Sequence, residues 1–253
     1  MSRVVVWFSC GAASAVASKL AIAEYGDRCE IVYCDTGSEH PDNDRFLLDV
    51  EKWLGKKITI LKSEKYSDIW DVFDKTRYLA GVNGARCTTE LKKKLRIQFQ
   101  DLDDLQIFGY TAEEEARAKQ FENNNPELLT EWILIKNGVS KDDCLAIIAA
   151  SNIEIPAMYK LGYRNNNCIG CVKGGAGYWN KIRVDFPDVF ERMAKVERKL
   201  NVAINKSYAG DGKRKRVFLD ELDPSAGRYS SEADISCGIG CGVVLDKINE
   251  DSC

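Results

Sequence analysis

No apolar run in the 253 residues approaches the ~20 needed to cross a bilayer, so no transmembrane helix is expected. The opening MSRVVVWFSCG offers no cleavage site of the secretory kind, and a cytoplasmic protein is expected. Internal repeats and low-complexity tracts are missing, and 45% hydrophobic with 30% charged residues is the composition of a folded globular chain. The net charge of −3 is too small for bulk electrostatics to hold the protein to nucleic acid. Histidine occurs once, and His40 reads as a capping or surface residue. Cysteine, by contrast, occurs ten times, which is unusual where disulfides do not persist. Clustered cysteines then point to a metal, an iron–sulfur cluster or a reactive thiol, whereas Cys29 and Cys144 read as buried structural thiols.

Four segments rich in β-branched and apolar residues, Arg3–Phe8, Glu30–Cys34, Lys57–Leu61 and Leu105–Tyr110, read as buried parallel strands. Helical patterns separate them: Ser14–Tyr25, with Val16, Leu20 and Ala23 on one face, and Asp42–Leu54, with Phe46, Val50, Trp53 and Leu54 on another. This alternation predicts a doubly wound α/β fold around a parallel sheet. Beyond residue 125 the pattern changes. Ser140 is placed to cap a helix over Lys141–Ser151, a loop runs on to Cys171, and a further helix is expected over Phe186–Leu200. Ala209–Arg216 reads as a polar loop, and the tail carries Cys237, Cys241 and Cys253. The expected division is an α/β core at residues 1–125 and a helical and loop C-terminal lobe at residues 126–253, packed together as one unit.

Ser9-Cys10-Gly11-Ala12-Ala13-Ser14 follows the first strand and opens the first helix, where small residues let backbone N–H groups approach an anion. The same segment also suits a tight strand-to-helix turn with no ligand. The second strand ends in Asp35-Thr36-Gly37, at the sheet edge where open α/β folds bind ligands, although Asp35 also suits a helix cap. Cys168-Ile169-Gly170-Cys171 has the spacing for two thiolates to chelate one metal or cluster. A redox pair is the alternative, without a thioredoxin-like βαβ context. The basic runs Lys92–Arg96 and Lys213–Arg216 read as solvated surface or, for the second equally, as phosphate contacts.

Taken in order from Val4 to Ile239, these segments resemble the phosphoadenosine phosphosulfate (PAPS) reductase family of the PP-loop, adenine nucleotide alpha-hydrolase-like superfamily. Ser9–Ser14 is similar to its modified PP-loop, and Asp35-Thr36-Gly37 with Pro41 and Phe46 to its DTG segment. Gly109–Glu114 with Arg117, Ile155-Pro156 through Cys171, and Gly227-Arg228-Tyr229 with Cys237 also match its pattern. The resemblance implies an adenine nucleotide such as PAPS, APS (adenosine 5′-phosphosulfate) or ATP, bound by Ser9, Gly11, Ala12, Ser14, Asp35, Thr36, Gly37 and Gly109. Lys92 and Arg117 would meet its phosphate or sulfate. It implies Cys237 as the nucleophile that attacks sulfur, and a thioredoxin-like thiol reductant. It further implies a four-iron, four-sulfur cluster on Cys87, Cys168 and Cys171, with zinc as the alternative. The chain departs from the pattern in three places. Ala13 stands where ATP-splitting relatives have aspartate, one of four cluster cysteines is missing, and Ser236 and Gly240 replace a glutamate and a histidine. The expected function is a sulfonucleotide reductase-like oxidoreductase of sulfur metabolism. The alternatives are a nucleotide-dependent sulfur transferase that modifies nucleic acid through a cluster, and a non-catalytic nucleotide-binding protein with structural zinc.

Overall fold

In a computed structural model, which describes residues 2–81, 84–208 and 214–235, the run Val4–Phe8 is buried at every position. A strand of β-branched residues buried on both faces belongs in the middle of a parallel sheet. This strand, β1, pairs in parallel with β2 (Cys29–Asp35) on one side and with β4 (Leu105–Phe108) on the other. Outside them lie β3 (Ile58–Lys62) and a fifth strand, β5 (Leu129–Glu131), giving the order β3-β2-β1-β4-β5. The four expected strands are present with ends shifted by a residue or two. The fifth was not expected, because three residues at an edge, with Leu129 half exposed, carry no periodic signal.

Helices cover both faces, as a doubly wound α/β fold requires. On one face α1 (Ala12–Tyr25) and α2 (Asp42–Leu54) bury Ala15, Val16, Ala17, Phe46 and Val50 against Val4, Val6 and Phe8. The small side chains of α1 let it lie close to the sheet. The opposite face packs Val5, Trp7, Val32 and Phe108 against Ala118 and Phe121. The first cluster continues past residue 125, through Ile133, Leu134, Cys144 and Ile148. Cys144 belongs to the helix Lys141–Ala150, whose N-terminus Ser140 closes by accepting the Asp143 amide at 3.1 Å while Asp143 reaches back to the Ser140 amide at 2.9 Å.

The helical C-terminal part has its own core. Trp179, Ile182, Phe190 and Met193, from the helices Ala176–Asp185 and Pro187–Leu200, pack with Ile69, Val72, Phe73 and Leu91 from the first half of the chain. Two expectations change here. Lys92–Arg96 is not a solvated run: Lys93 and Arg96 are buried, in a helix that passes through a π-turn at Thr89–Lys93. The segment ending at Arg216 is not wholly a loop, since Arg214–Val217 pairs antiparallel with Asn205–Tyr208. Among the described residues no helix is long and apolar enough to cross a membrane. Cys237, Cys241, Cys253 and Lys213 lie outside the described residues.

Candidate functional site

The strand order reverses between β1 and β4, and ligands of open α/β sheets bind where it does. At β1 the chain leaves the strand through Cys10, which holds the left-handed conformation at φ 59°, and enters α1 at Gly11. Its cap residue, Gly11, has no side chain to offer the helix. Ser14 instead braces the loop: its Oγ accepts the Ser9 amide at 3.0 Å and stands 3.0 Å from the Gly11 carbonyl oxygen. The Tyr159 hydroxyl accepts the backbone N–H groups of Ala12 and Asn166, and burial pushes its pKa up to about 12. A Cβ on Gly11 would stand 3.1 Å from that hydroxyl. At β4 the fit is tighter, since a Cβ on Gly109 would come within 2.7 Å of the Ser14 Cα and N. Gly109 therefore lets the end of β4 pass against the first turn of α1.

Between them opens a cleft of about 460 Å³, within the range of small-molecule sites. Ser9, Gly11, Ala12, Ser14, Lys92, Gly109 and Arg117 all line it. Asp35, Thr36 and Gly37 do not. Asp35 pairs with Lys62 at 2.7 Å and accepts the Gly37 amide at 2.8 Å. Thr36 Oγ1 lies 3.0 Å from Cys168 Sγ. Gly37, at φ 63°, has Ser67 O where a Cβ would be, 2.2 Å away, so its glycine serves the turn. His40 Nδ1 accepts the Asp42 amide at 3.1 Å, the capping role expected of it.

Among the described residues three cations face the cleft. Arg117 lies over the Tyr110 ring at 4.1 Å and pairs with Glu114, which also accepts the Thr111 amide at 3.1 Å. Lys92 Nζ stands 4.0 Å from Glu39. Lys141 Nζ is held at 2.9 Å by both Asn165 Oδ1 and Asp234 Oδ2. Lys141, Asn166 and Asp234 were not anticipated. Asn166 alone had a signal, the run Asn165-Asn166-Asn167 just before the C-x-x-C, amides with several hydrogen bonds to give. Three other cysteines are unsuited to attack: burial raises the thiol of Cys10 strongly, that of Cys34 to about 11 and that of Cys144 to about 12, so all stay protonated at neutral pH.

The family model for the phosphoadenosine phosphosulfate reductase domain matches residues 3–176, from β1 through the phosphate loop to the C-x-x-C. The chain belongs to the phosphoadenosine phosphosulfate reductase family. Its general chemistry is thus sulfonucleotide reduction or a related sulfur transfer. No curated protein sequence matches the chain.

In this PAPS reductase-family protein the C-x-x-C lies under a strap formed by the last described residues. Cys168 and Cys171 are buried, and the hydroxyl of buried Tyr178 accepts the amides of Gly170 and Cys171 at 3.0 and 2.9 Å. Tyr229 packs its ring on Tyr163 and Tyr178. Glu232 caps the helix Ala176–Asp185 from outside, taking the amides of Gly177 and Tyr178 at 2.6 and 3.1 Å. Asn167 and Asn165 then hold the Ile235 carbonyl at 2.8 and 3.3 Å, and Asp234 and Ile235 line the cleft.

Proposed function

We propose that this protein is a sulfonucleotide reductase-like enzyme that binds an adenosine phosphosulfate in the cleft and attacks its sulfur with Cys237. The observation that carries the reading is the strap, which brings Ile235 to the cleft wall two residues before that cysteine. Two extended residues reach no more than ~7 Å, so the backbone of Cys237 is within that reach of Ile235. The N-terminal turn of α1 beyond Ala12, with Lys92, Arg117 and Lys141, supplies the donors for phosphate and sulfate. Asp35, Thr36 and Gly37 support the loop that faces Cys168.

The Cys237 thiolate attacks the sulfate sulfur, and the bond from sulfur to the phosphate oxygen breaks with its electrons leaving on the nucleotide. The product is S-sulfocysteine. A dithiol reductant of the thioredoxin kind then attacks Cys237 Sγ, sulfite departs, and its second thiol closes the mixed disulfide and frees Cys237. Ala13, in place of the aspartate of ATP-splitting relatives, supports a loop that holds the nucleotide.

A four-iron, four-sulfur cluster, or zinc, would draw on Cys87, Cys168 and Cys171, which share one core cluster. Among the described residues no three Cys, His, Asp or Glu side chains are gathered to hold a metal ion, so the described residues alone do not make that site. No step is assigned to a metal. Iron, sulfide and zinc analysis of anaerobically purified protein and of Cys168→Ala tests for one.

Sulfur transfer to nucleic acid is the second reading, supported by the exposed Lys206, Lys215 and Arg216 on the antiparallel pair. The deciding experiment incubates APS and PAPS with a dithiol and measures sulfite. Release by the wild type and none by Cys237→Ser is expected; no release from either nucleotide by the wild type would sink the reductase reading.

A further inference from the structure

Three hydroxyls that line the cleft spend their protons inside the protein. Ser14 Oγ, which accepts the Ser9 amide at 3.0 Å, donates to the Gly11 carbonyl at 3.0 Å, and Ser9 Oγ donates to Ser14 Oγ at 3.1 Å. Thr111 Oγ1 gives its proton to Glu114 at 3.4 Å. Tyr159, which also lines the cleft, differs. Its oxygen takes the amides of Ala12 and Asn166, which use both lone pairs and leave the O–H proton to give. Among the described residues nothing accepts that proton. With its pKa up at about 12, the phenol keeps the proton at neutral pH.

Gly11 sets the place of this donor. A Cβ there would stand 3.1 Å from Tyr159 Oη and 3.8 Å from Ser9 Oγ, so the missing side chain keeps a gap open between the hydroxyl and the first turn of α1. In that turn the amides of Ala13 and Ser14 have no carbonyl of their own helix to meet.

We propose that the Tyr159 hydroxyl is a ligand of the nucleotide phosphate, donating to an oxygen held against the amides of Ala13 and Ser14. The inference rests on the nucleotide-binding reading of the cleft. Arg117 and Lys141 share their charge with Glu114 and Asp234, whereas this neutral donor has no carboxylate competing for it. The Tyr159 ring packs on the core beneath the sheet, so phenylalanine keeps the ring in place and removes the hydroxyl alone.

Two measurements test this. Wild type and Tyr159→Phe are titrated with AMP and with adenosine by calorimetry. Protein made with tyrosine carrying carbon-13 at Cζ is then followed by NMR, the Tyr159 resonance being the one missing from the variant. In Tyr159→Phe, AMP affinity should fall by on the order of 10- to 100-fold, as for one hydrogen bond to a charged group. Adenosine affinity should hold, and the Tyr159 resonance should move with AMP but not with adenosine. Unchanged AMP affinity overturns the proposal. An equal loss for adenosine overturns it too, as does a resonance that stays still while AMP affinity falls, since either makes Tyr159 a scaffold of the loop. A wild type that binds no AMP refutes the nucleotide reading instead. Inorganic phosphate is then the probe: a shift of the Tyr159 resonance keeps the hydroxyl as an anion ligand, and no shift refutes it.

Discussion

Asn166 Nδ2 lies 2.6 Å from the carbonyl oxygen of Cys10, 156 positions earlier in the chain, and 2.8 Å from Asn43 Oδ1. Cys10 holds a left-handed conformation that costs a non-glycine residue about 1–2 kcal/mol. Its thiol, meanwhile, reaches the Asn43 carbonyl at 3.4 Å. A side chain two positions before the C-x-x-C thus props up the tip of the phosphate loop.

Replacing Asn166 with alanine should strand the buried Cys10 carbonyl and the Asn43 side chain, at a cost of about 1–3 kcal/mol. Part of that cost falls on the loop. AMP affinity measured by calorimetry should drop about tenfold, or ~1.4 kcal/mol. Unchanged affinity would show that the loop keeps its shape unaided.

Gly109→Ala places a methyl 2.7 Å from the Ser14 backbone, where no flexible side chain can give way. Thermal unfolding should show a loss of about 1–3 kcal/mol, with AMP binding weakened as α1 is pushed from the cleft.

Arg117→Lys keeps a positive charge but loses the guanidinium that lies over Tyr110 and pairs with Glu114. Nucleotide binding should weaken about tenfold, as expected where paired donors at fixed geometry meet an anion. Measured in a salt series, the remaining affinity should fall with ionic strength. Wild-type affinity in the variant would remove Arg117 from the anion site.

Glu197 is fully buried, and its two oxygens accept the amides of Ile204 and Leu219 at 2.7 and 2.6 Å. Burial raises its pKa from the ordinary 4.5 to about 6. A raised carboxyl pKa means that the folded state binds the proton more tightly than the unfolded one. Its contribution is therefore fully present below about 4.5 and is lost as pH rises through about 6. Denaturant midpoints of wild type relative to Glu197→Gln should fall across that window. A flat difference would mean that the carboxyl is not perturbed. At neutral pH the Gln variant should still be the less stable, because its amide N–H₂ meets a backbone donor.

The fold was largely legible because its strands are runs of β-branched residues and its phosphate loop is a run of small ones. Val4–Phe8 and Ser9–Ser14 announce themselves without a neighbour. Half of the cleft was not legible, for a physical reason. Lys141 reads as an ordinary helix-start residue and Asp234 as a tail carboxylate until the strap lays one against the other at 2.9 Å. Lys93 and Arg96 looked solvated because a charge run is usually surface, and only the packing of their helix on the sheet buries them. Asp35-Thr36-Gly37 was visible as a motif, but the direction it faces, toward Cys168, depends on contacts across 132 positions.

The brace on Cys10 also fixes an order of assembly. The phosphate loop is synthesised 156 positions before Asn166, and the strap at Asp234 follows later still. A nascent chain stopped before residue 166 would have the loop's sequence without its shape. Ligand capture should thus wait until Asn166 has been made and docked, and contacts of such long sequence separation should make that docking slow relative to closure of the sheet.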